Sequence, residues 1–229
     1  MKVIIFGKNT KKIEKMSKKL GIEVVNSNPD FVISSGGDGT FMLSENKFPG
    51  IPKILLKESK ICKKCTPNLS HEEILLHIKE KKYKLEKLQK LEATALGKTI
   101  SGINDIIIHN SNPRQAIRYT LKIDDLQQNE EIIGDGIVVS TIFGSSGYYK
   151  SITDSVFEIG IGLAFNNSTE QSDHIVINDK RKIKFTLLRG PAEVFADNIK
   201  DRIKIKKGDS VLIKVSKDFS SIAKPTIKN

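Results

Sequence analysis

Phe31-Val32-Ile33-Ser34-Ser35-Gly36-Gly37-Asp38-Gly39-Thr40 is the stretch on which the fold reading turns. Phe31–Ser34 read as a buried β-strand, and one residue later the chain enters a glycine-rich turn that carries one carboxylate. Three glycines remove the Cβ atoms that would hold a backbone away from a ligand. Their N–H groups can then face an anion, and a helix starting there adds its dipole. Phe41, Met42 and Leu43 read as the first turn of that helix, packed onto the sheet. A loop built only for phosphates does better without a central negative charge. Asp38 therefore points to a second task, orienting or deprotonating a hydroxyl. Strand, glycine turn, carboxylate and hydroxyl together suggest chemistry on a phosphorylated sugar or nucleotide. A tight turn with a polar tip is the plainer reading of the same residues. A calcium loop is not supported, because no ladder of oxygen ligands follows.

Outward from this stretch the first third alternates strands and helices. Lys2–Phe6, Ile22–Val25, Phe31–Ser34 and Ile54–Leu56 read as short strands. Thr10 is placed to cap a helix running to Leu20, with Ile13, Met16 and Leu20 on one face. Ser70-His71-Glu72-Glu73 is a capping-box pattern, continued by Ile74, Leu75 and Ile78. Such alternation predicts a parallel sheet with covered faces, and ligands in such sheets bind beyond the carboxyl ends of the strands. The Gly36–Thr40 turn sits at such an end.

From about residue 83 the character turns to strands. Ile117, Tyr119, Leu121 and Ile123 alternate with polar residues, and Ile132–Ile133, Ile137–Ser140, Ile175–Ile177, Ile183–Leu188 and Glu193–Phe195 read as further strands. Arg202–Lys206 and Ser210–Val215 flank Lys207-Gly208-Asp209 as a hairpin. The expected architecture is an α/β N-terminal nucleotide-binding domain, Rossmann-like with a parallel sheet, over 1–88, and a β-rich C-terminal domain over 89–229. The residues from Asp218 onward read as a loosely held tail.

Bulk properties narrow the classes. The 229 residues suit one large domain or two small ones, and 38% apolar content builds a sizeable core. No apolar run is long enough for a membrane span, and Met1–Gly7 has too short an apolar stretch for a signal peptide. The net charge of +11 is dispersed, and only 6% of residues are aromatic, so a solvated surface explains it better than nucleic acid. A positive field also attracts anionic small molecules. Two cysteines without a disulfide framework point to a reducing, cytoplasmic setting. Cys62-x-x-Cys65 with His71 and His77 lacks zinc-finger spacing and reads as a surface loop, and no metal-ligand set is assigned.

Two further segments carry chemistry. Gly102-Ile103-Asn104-Asp105 precedes the strand Ile106–His109, and an Asn–Asp pair there can accept and donate hydrogen bonds to a ribose diol; a turn before a strand is the structural alternative. Gly134-Asp135-Gly136 opens a strand that feeds Ser140-Thr141-Ile142-Phe143-Gly144-Ser145-Ser146-Gly147-Tyr148-Tyr149-Lys150-Ser151. Small residues let a flat base come close, hydroxyls bond its edge, and a tyrosine can pack nearby. No Gly-x-x-x-x-Gly-Lys-Ser/Thr loop occurs, so a nucleotide user with this sequence holds its phosphates another way.

In order and spacing, Gly36–Thr40, Asn104-Asp105 and the run from Asp135 to Ser151 resemble the NAD kinase family. Val194-Phe195-Ala196-Asp197-Asn198 with the following hairpin is similar too. The resemblance implies transfer of a phosphoryl group from ATP, or polyphosphate, to the 2′-hydroxyl of the adenosine ribose of NAD, giving NADP. It implies that Asp38 is the base or orienting carboxylate and that Gly36, Gly37, Gly39 and Thr40 hold phosphates. Asn104 and Asp105 would contact ribose hydroxyls. Asp135, Ser146, Gly147, Tyr148 and Ser151 would line the adenine and nicotinamide subsites. It further implies Mg²⁺ or another divalent cation carried with ATP, and a homo-oligomer, dimer or tetramer; from the dispersed charge and the lack of a long apolar run, neither nucleic acid nor membrane is expected as a partner. The chain departs from the family at 54–69, where an Asn-x-Gly-x-Leu-Gly-Phe-Leu stretch is usual, and at Ile142-Phe143, where Pro-Thr is usual. Its rivals are a lipid or sugar kinase sharing the glycine loop, and a non-catalytic dinucleotide-binding protein of the same fold.

Overall fold

The computed structural model describes residues 1–124, 126–127, 131–169 and 174–226. The chain divides into two compact units, 1–88 together with 218–229, and 89–217. The C-terminal segment therefore returns to the first unit, which corrects both the 89–229 boundary and the loose tail. Its polar spelling hides a strand: Ser220, Ser221, Ile222 and Ala223 are buried, and Ile222 pairs in parallel with Lys53. Among the described residues no helix is long and apolar enough to cross a membrane.

The first unit is built from β1 (Lys2–Gly7), α1 (Thr10–Lys19), β2 (Glu23–Val24), β3 (Phe31–Gly36), α2 (Asp38–Lys47), β4 (Lys53–Lys57) and α3 (His71–Lys79). The strands run in the order β2-β1-β3-β4 and every pairing is parallel. All six residues of β3 are buried, as a central parallel strand covered on both faces requires. Val3, Ile33, Ile54 and Leu56 from the strands pack with Ile13 of α1 and Leu75 and Ile78 of α3. Phe41 and Met42 of α2 are buried as well. Asn9 rather than Thr10 is the cap residue of α1, in the left-handed region at φ 55°, and its side chain makes no capping hydrogen bond. Its other end is a Schellman motif, with Gly21 at φ +65° and the N–H groups of Gly21 and Ile22 donating to the carbonyls of Lys18 and Ser17. The capping box at α3 is complete: Ser70 Oγ accepts from Glu73 N–H, and Glu73 accepts from Ser70 N–H.

The second unit is a two-sheet β structure. The chain reaches it through β5 (Tyr83–Ala95), followed by β6 (Lys98–Gly102), β7 (Asp105–Asn110), β8 (Ile117–Ile123), β9 (Leu126–Gln127), β10 (Ile132–Gly134) and β11 (Gly136–Ser140). Then come α4 (Tyr148–Thr153), β12 (Ile161–Asn166), β13 (His174–Ile177), β14 (Ile183–Arg189), β15 (Ala192–Ala196), β16 (Arg202–Ile205) and β17 (Ser210–Pro225). One sheet has the order β13-β12-β11-β7-β15-β16, antiparallel throughout. The other places β10, β8, β14 and β17 side by side, also antiparallel. Their shared core joins Ile106, Ile108, Val139, Leu163 and Val194 with Tyr119, Leu121, Phe185 and Ile213. Strand β12 and helix α4 were not foreseen. The first five residues of β12 are buried on both faces, so it shows no alternation to read. Helix α4 forms because Tyr149 and Ile152 have a pocket to fill, against Val138, Phe157 and Ala164.

Candidate active site

Strand β3 delivers the glycine turn at its carboxyl end, and α2 starts at Asp38 directly after it. A Cβ on Gly36 would lie 2.1 Å from Thr40 Oγ1, and one on Gly37 would lie 2.5 Å from the Ile61 carbonyl oxygen. Only hydrogen fits at either position. Gly39 faces open space, with nothing within 4 Å of such a Cβ. The N-cap position of α2 is Gly37, which offers no side chain to cap the first turn. First-turn N–H groups left uncapped by the Gly37 position and the positive end of the helix dipole thus meet beside an open glycine, a ready anion site.

Asp38 has two unlike oxygens. Oδ1 accepts the backbone N–H of Lys63 at 2.9 Å. Oδ2 is buried and has no hydrogen-bond partner among the described residues. A carboxylate anchored on one oxygen and unsatisfied on the other is poised to accept a hydroxyl proton on the second. The anchor comes from the segment after β4, where the sequence departs from the family's usual stretch. Glu58 N–H donates to the Gly36 carbonyl, Ser59 and Ile61 crowd Gly37, and Lys63 reaches Asp38. This wall was missed in the sequence because, the Ser59 side chain apart, it touches the turn through backbone atoms, which no residue type announces. Within the same wall Cys62 and Cys65 are joined in a disulfide, which corrects the expectation of two cysteines left unpaired. His71 and His77 bond the carbonyls of Lys57 and Glu73.

In the second unit Asn104 and Asp105 form the turn from β6 into β7. The turn is held by Asp197, which sits in the left-handed region just past β15 and is 8% exposed. One oxygen of its carboxylate accepts N–H groups from Asn104 at 2.7 Å and Asp105 at 3.2 Å, and the other accepts from Ile103 at 2.9 Å. Burial pushes the Asp197 pKa up, and the three N–H donors pull it the other way. Gly102 is obligatory here, since a Cβ would lie 2.6 Å from Asp197 Oδ1. Asn104 Nδ2 donates to Asp105 Oδ2 at 2.9 Å. Thr141 locks the turn from the other side: its N–H donates to the Asn104 carbonyl, and its hydroxyl donates to the Ile103 carbonyl while accepting from Gly144 N–H. Asp197→Asn would turn an amide donor onto a backbone donor or forfeit an acceptor. It is expected to lower stability by about 1–3 kcal/mol, read from the urea midpoint at unchanged slope.

Asp135 is clamped by two amides that the sequence reading did not single out. Asn110 Nδ2 donates to Oδ1 at 2.9 Å and Asn167 Nδ2 to Oδ2 at 2.7 Å. Tyr148, the first residue of α4, accepts from Asn166 Nδ2 on its hydroxyl at 3.1 Å. Burial raises the Tyr148 pKa, the Asn166 bond opposes this, and the charges of Asp135 and Asp105 raise it further. Asn166, which donates to the Tyr148 hydroxyl and accepts Asp135 N–H on its own carbonyl, brings Tyr148 and Asp135 into one neighbourhood, and the Asp105 charge reaches the same hydroxyl. Gly147 completes it, since its Cβ would lie 3.0 Å from Asn104 Nδ2. Ser146 and Ser151 stay exposed, and the Ser151 hydroxyl donates to the Tyr148 carbonyl of its own helix. The fold thus gathers Asn104, Asp105, Asp135, Gly147 and Tyr148, and leaves the two serines at the margin.

Residues 103–224, which carry this neighbourhood, match the ATP-NAD kinase C-terminal domain. The chain belongs to the NAD kinase family. An NAD kinase of Saccharolobus islandicus (strain M.14.25 / Kamchatka #1) is 36% identical over 148 residues, covering 63% of this chain and 57% of that relative's length. An NAD kinase of Clostridium perfringens (strain 13 / Type A) is 27% identical over 205 residues, covering 84% of this chain and 74% of the relative. Two solved structures share the fold. A crystal structure of an NAD kinase from Archaeoglobus fulgidus in complex with ATP superposes with a TM-score of 0.81 at 23% identity, covering 97% of this chain and 93% of that one. Yeast NADH kinase complexed with NADH superposes with a TM-score of 0.82 at 14% identity, covering 99% and 84%.

Set among NAD kinases, both sequence departures of this chain take on a structural meaning. The segment after β4 supplies the wall of the glycine turn by backbone contacts. At Ile142-Phe143, Phe143 is buried and Ile142 exposed, while the neighbouring Thr141 supplies the hydroxyl that ties the Asn104 turn. The family match lies outside the glycine turn that prompted the lipid- and sugar-kinase alternatives, at 103–224, and does not favour them.

Proposed function

We propose that the protein phosphorylates the 2′-hydroxyl of the adenosine ribose of NAD with ATP, giving NADP and ADP. The observation that carries the reading is Asp38, one oxygen anchored by Lys63 N–H and the other buried and unsatisfied, at an uncapped helix start. The NAD kinase relatives and the ATP-bound fold neighbour support it. Gly36, Gly37, Gly39 and Thr40 would hold donor phosphates, and Asn104 and Asp105 the ribose hydroxyls. Asp135, Gly147 and Tyr148, with Ser146 and Ser151 at the edge, would line the base subsites. The ribose oxygen attacks the γ-phosphorus, the bond to the bridging oxygen breaks, and Asp38 takes the hydroxyl proton. A ribose hydroxyl titrates far above neutral, so a proton acceptor at hydrogen-bond distance matters as the new bond forms. The rest is positioning and charge neutralisation.

A divalent cation such as Mg²⁺ fits as a partner of the nucleotide. Among the described residues no group of three or more His, Cys, Asp or Glu could hold an ion, so triphosphate oxygens and water would supply most of its ligands. Bound there, it would neutralise phosphate charge. A homo-oligomer and a cytoplasmic setting belong to the same reading. The direct test incubates purified protein with ATP, Mg²⁺ and NAD and reads NADP with an NADP-specific dehydrogenase; no NADP above a protein-free control would overturn the proposal. NAD and NADP are also expected to stabilise the fold by mass action, by about 2.7 kcal/mol at 100 times the dissociation constant. A melting temperature unmoved by millimolar amounts of either dinucleotide would count against it.

A further inference from the structure

We propose that Cys62 and Cys65 form a redox-active disulfide site, taking a dithiol reductant as its substrate, whose state sets the hydrogen bond on Asp38. The pair lies in the wall of the glycine turn, and the residue it encloses, Lys63, is the one whose backbone N–H holds Asp38 Oδ1. Both cysteines are half-exposed, so a small reductant can reach the bond. Lys63 is exposed beside them, and its charge favours approach of an attacking thiolate. Metal binding is the other common use of such spacing. Among the described residues no third ligand joins the pair, and the nearby His71 ring is engaged with the Lys57 carbonyl and faces Glu58.

The reaction is thiol–disulfide exchange. One thiolate of the dithiol attacks a sulfur of the Cys62–Cys65 bond, giving a mixed disulfide, and its second thiol resolves it. Two electrons and two protons pass to the protein, leaving two cysteine thiols and an oxidised, cyclic reductant. The bond closes a tight ring around Lys63 and Lys64. Its opening frees the backbone at 62–65, where the Lys64–Glu86 ion pair ties a side chain only, while the flanks stay tied: Glu58 N–H on the Gly36 carbonyl, and the His71 ring on the Lys57 carbonyl. The change is therefore local. The contact most exposed to it is Lys63 N–H to Asp38, because a directional hydrogen bond weakens steeply as its angle falls. In the oxidised state Asp38 is held with Oδ2 free to accept a proton; in the reduced state that orientation is lost.

The consequence for turnover rests on the proposed kinase reading; the sulfur chemistry and the backbone contact do not. The experiment uses the full chain, oxidised in air or reduced with dithiothreitol, beside the Cys62→Ser/Cys65→Ser variant. Maleimide labelling is expected to find both cysteines blocked in the oxidised protein and free after reduction. Amide exchange of Lys63, followed by NMR, is expected to speed up on reduction. NAD phosphorylation is expected to fall about tenfold, the lower end of what a hydrogen bond to a charged group carries, and to recover on reoxidation. The double serine variant is expected to match the reduced protein and to ignore dithiothreitol. Free thiols after air oxidation, unchanged Lys63 exchange on reduction, equal and measurable NADP formation in the two states, or a double variant that still responds would each overturn the proposal. If neither state makes NADP, the kinase reading fails, and labelling with Lys63 exchange still decides the redox site.

Discussion

Asp38→Asn is expected to lower saturated turnover of NAD about 10²–10⁴-fold while leaving a folded protein that binds NAD. Asparagine keeps the size of aspartate, and its amide oxygen can still accept Lys63 N–H, so the Gly36–Thr40 turn should persist. The amide nitrogen then replaces the buried, unsatisfied Oδ2. It can donate a hydrogen bond but cannot take a proton, so the nascent bond to phosphorus must form on a hydroxyl with no acceptor. Removing a negative charge from beside phosphates should leave nucleotide binding intact or slightly tighter. The measurement is turnover at saturating ATP and NAD beside a binding titration. Near wild-type turnover would make Asp38 a turn residue and end the mechanism at its central step.

Lys53→Met should destabilise the first unit by about 3–5 kcal/mol, without touching the glycine turn directly. Lys53 is completely buried, at the start of β4, and pairs with Glu45, which is 2% exposed, near the end of α2. Its ammonium donates to Glu45 and to the carbonyls of Phe48 and Ile51, three acceptors for three N–H groups. Glu45 in turn accepts from Gly50 N–H and Ser220 Oγ. Methionine matches much of the lysine stem, so packing changes little. What remains is a buried carboxylate without its counter-charge, the costly half of a broken ion pair. Urea denaturation followed in wild type and variant gives the difference. Replacing both partners, Lys53→Met with Glu45→Gln, should recover part of the loss, because no bare charge is then left inside. If Lys53→Met cost no more than a surface substitution, the buried pair would have no part in holding the last strand and α2 together.

Much of the first unit could be read directly. A run such as Val32-Ile33-Ser34 bounded by Gly36-Gly37 is a buried strand ending in a turn under any packing, and the Ser70–Glu73 box marks its helix by local bonds alone. The glycine turn with Asp38 and the pairing of Asn104 with Asp105 were legible for the same reason: the chemistry lies in residue type and short spacing. The strand at Ile161–Asn166, buried over its first five residues, had no periodicity to betray it, and the C-terminal strand was masked by serines that only a buried partner such as Glu45 makes acceptable.

By itself, then, the sequence determined which side chains could do chemistry: a carboxylate in a glycine turn, an amide–carboxylate pair, a second aspartate and a tyrosine. Only the tertiary structure decided how each is held. Asp197 grips the Asn104–Asp105 turn from more than 90 residues away, Asn110 and Asn167 clamp Asp135, and Lys63 anchors Asp38 through a backbone N–H. The physical reason is that these restraints are hydrogen bonds to main-chain atoms or between distant strands. Every residue but proline carries the same N–H, so its use is fixed by where the fold places it and leaves no mark in the order of side chains.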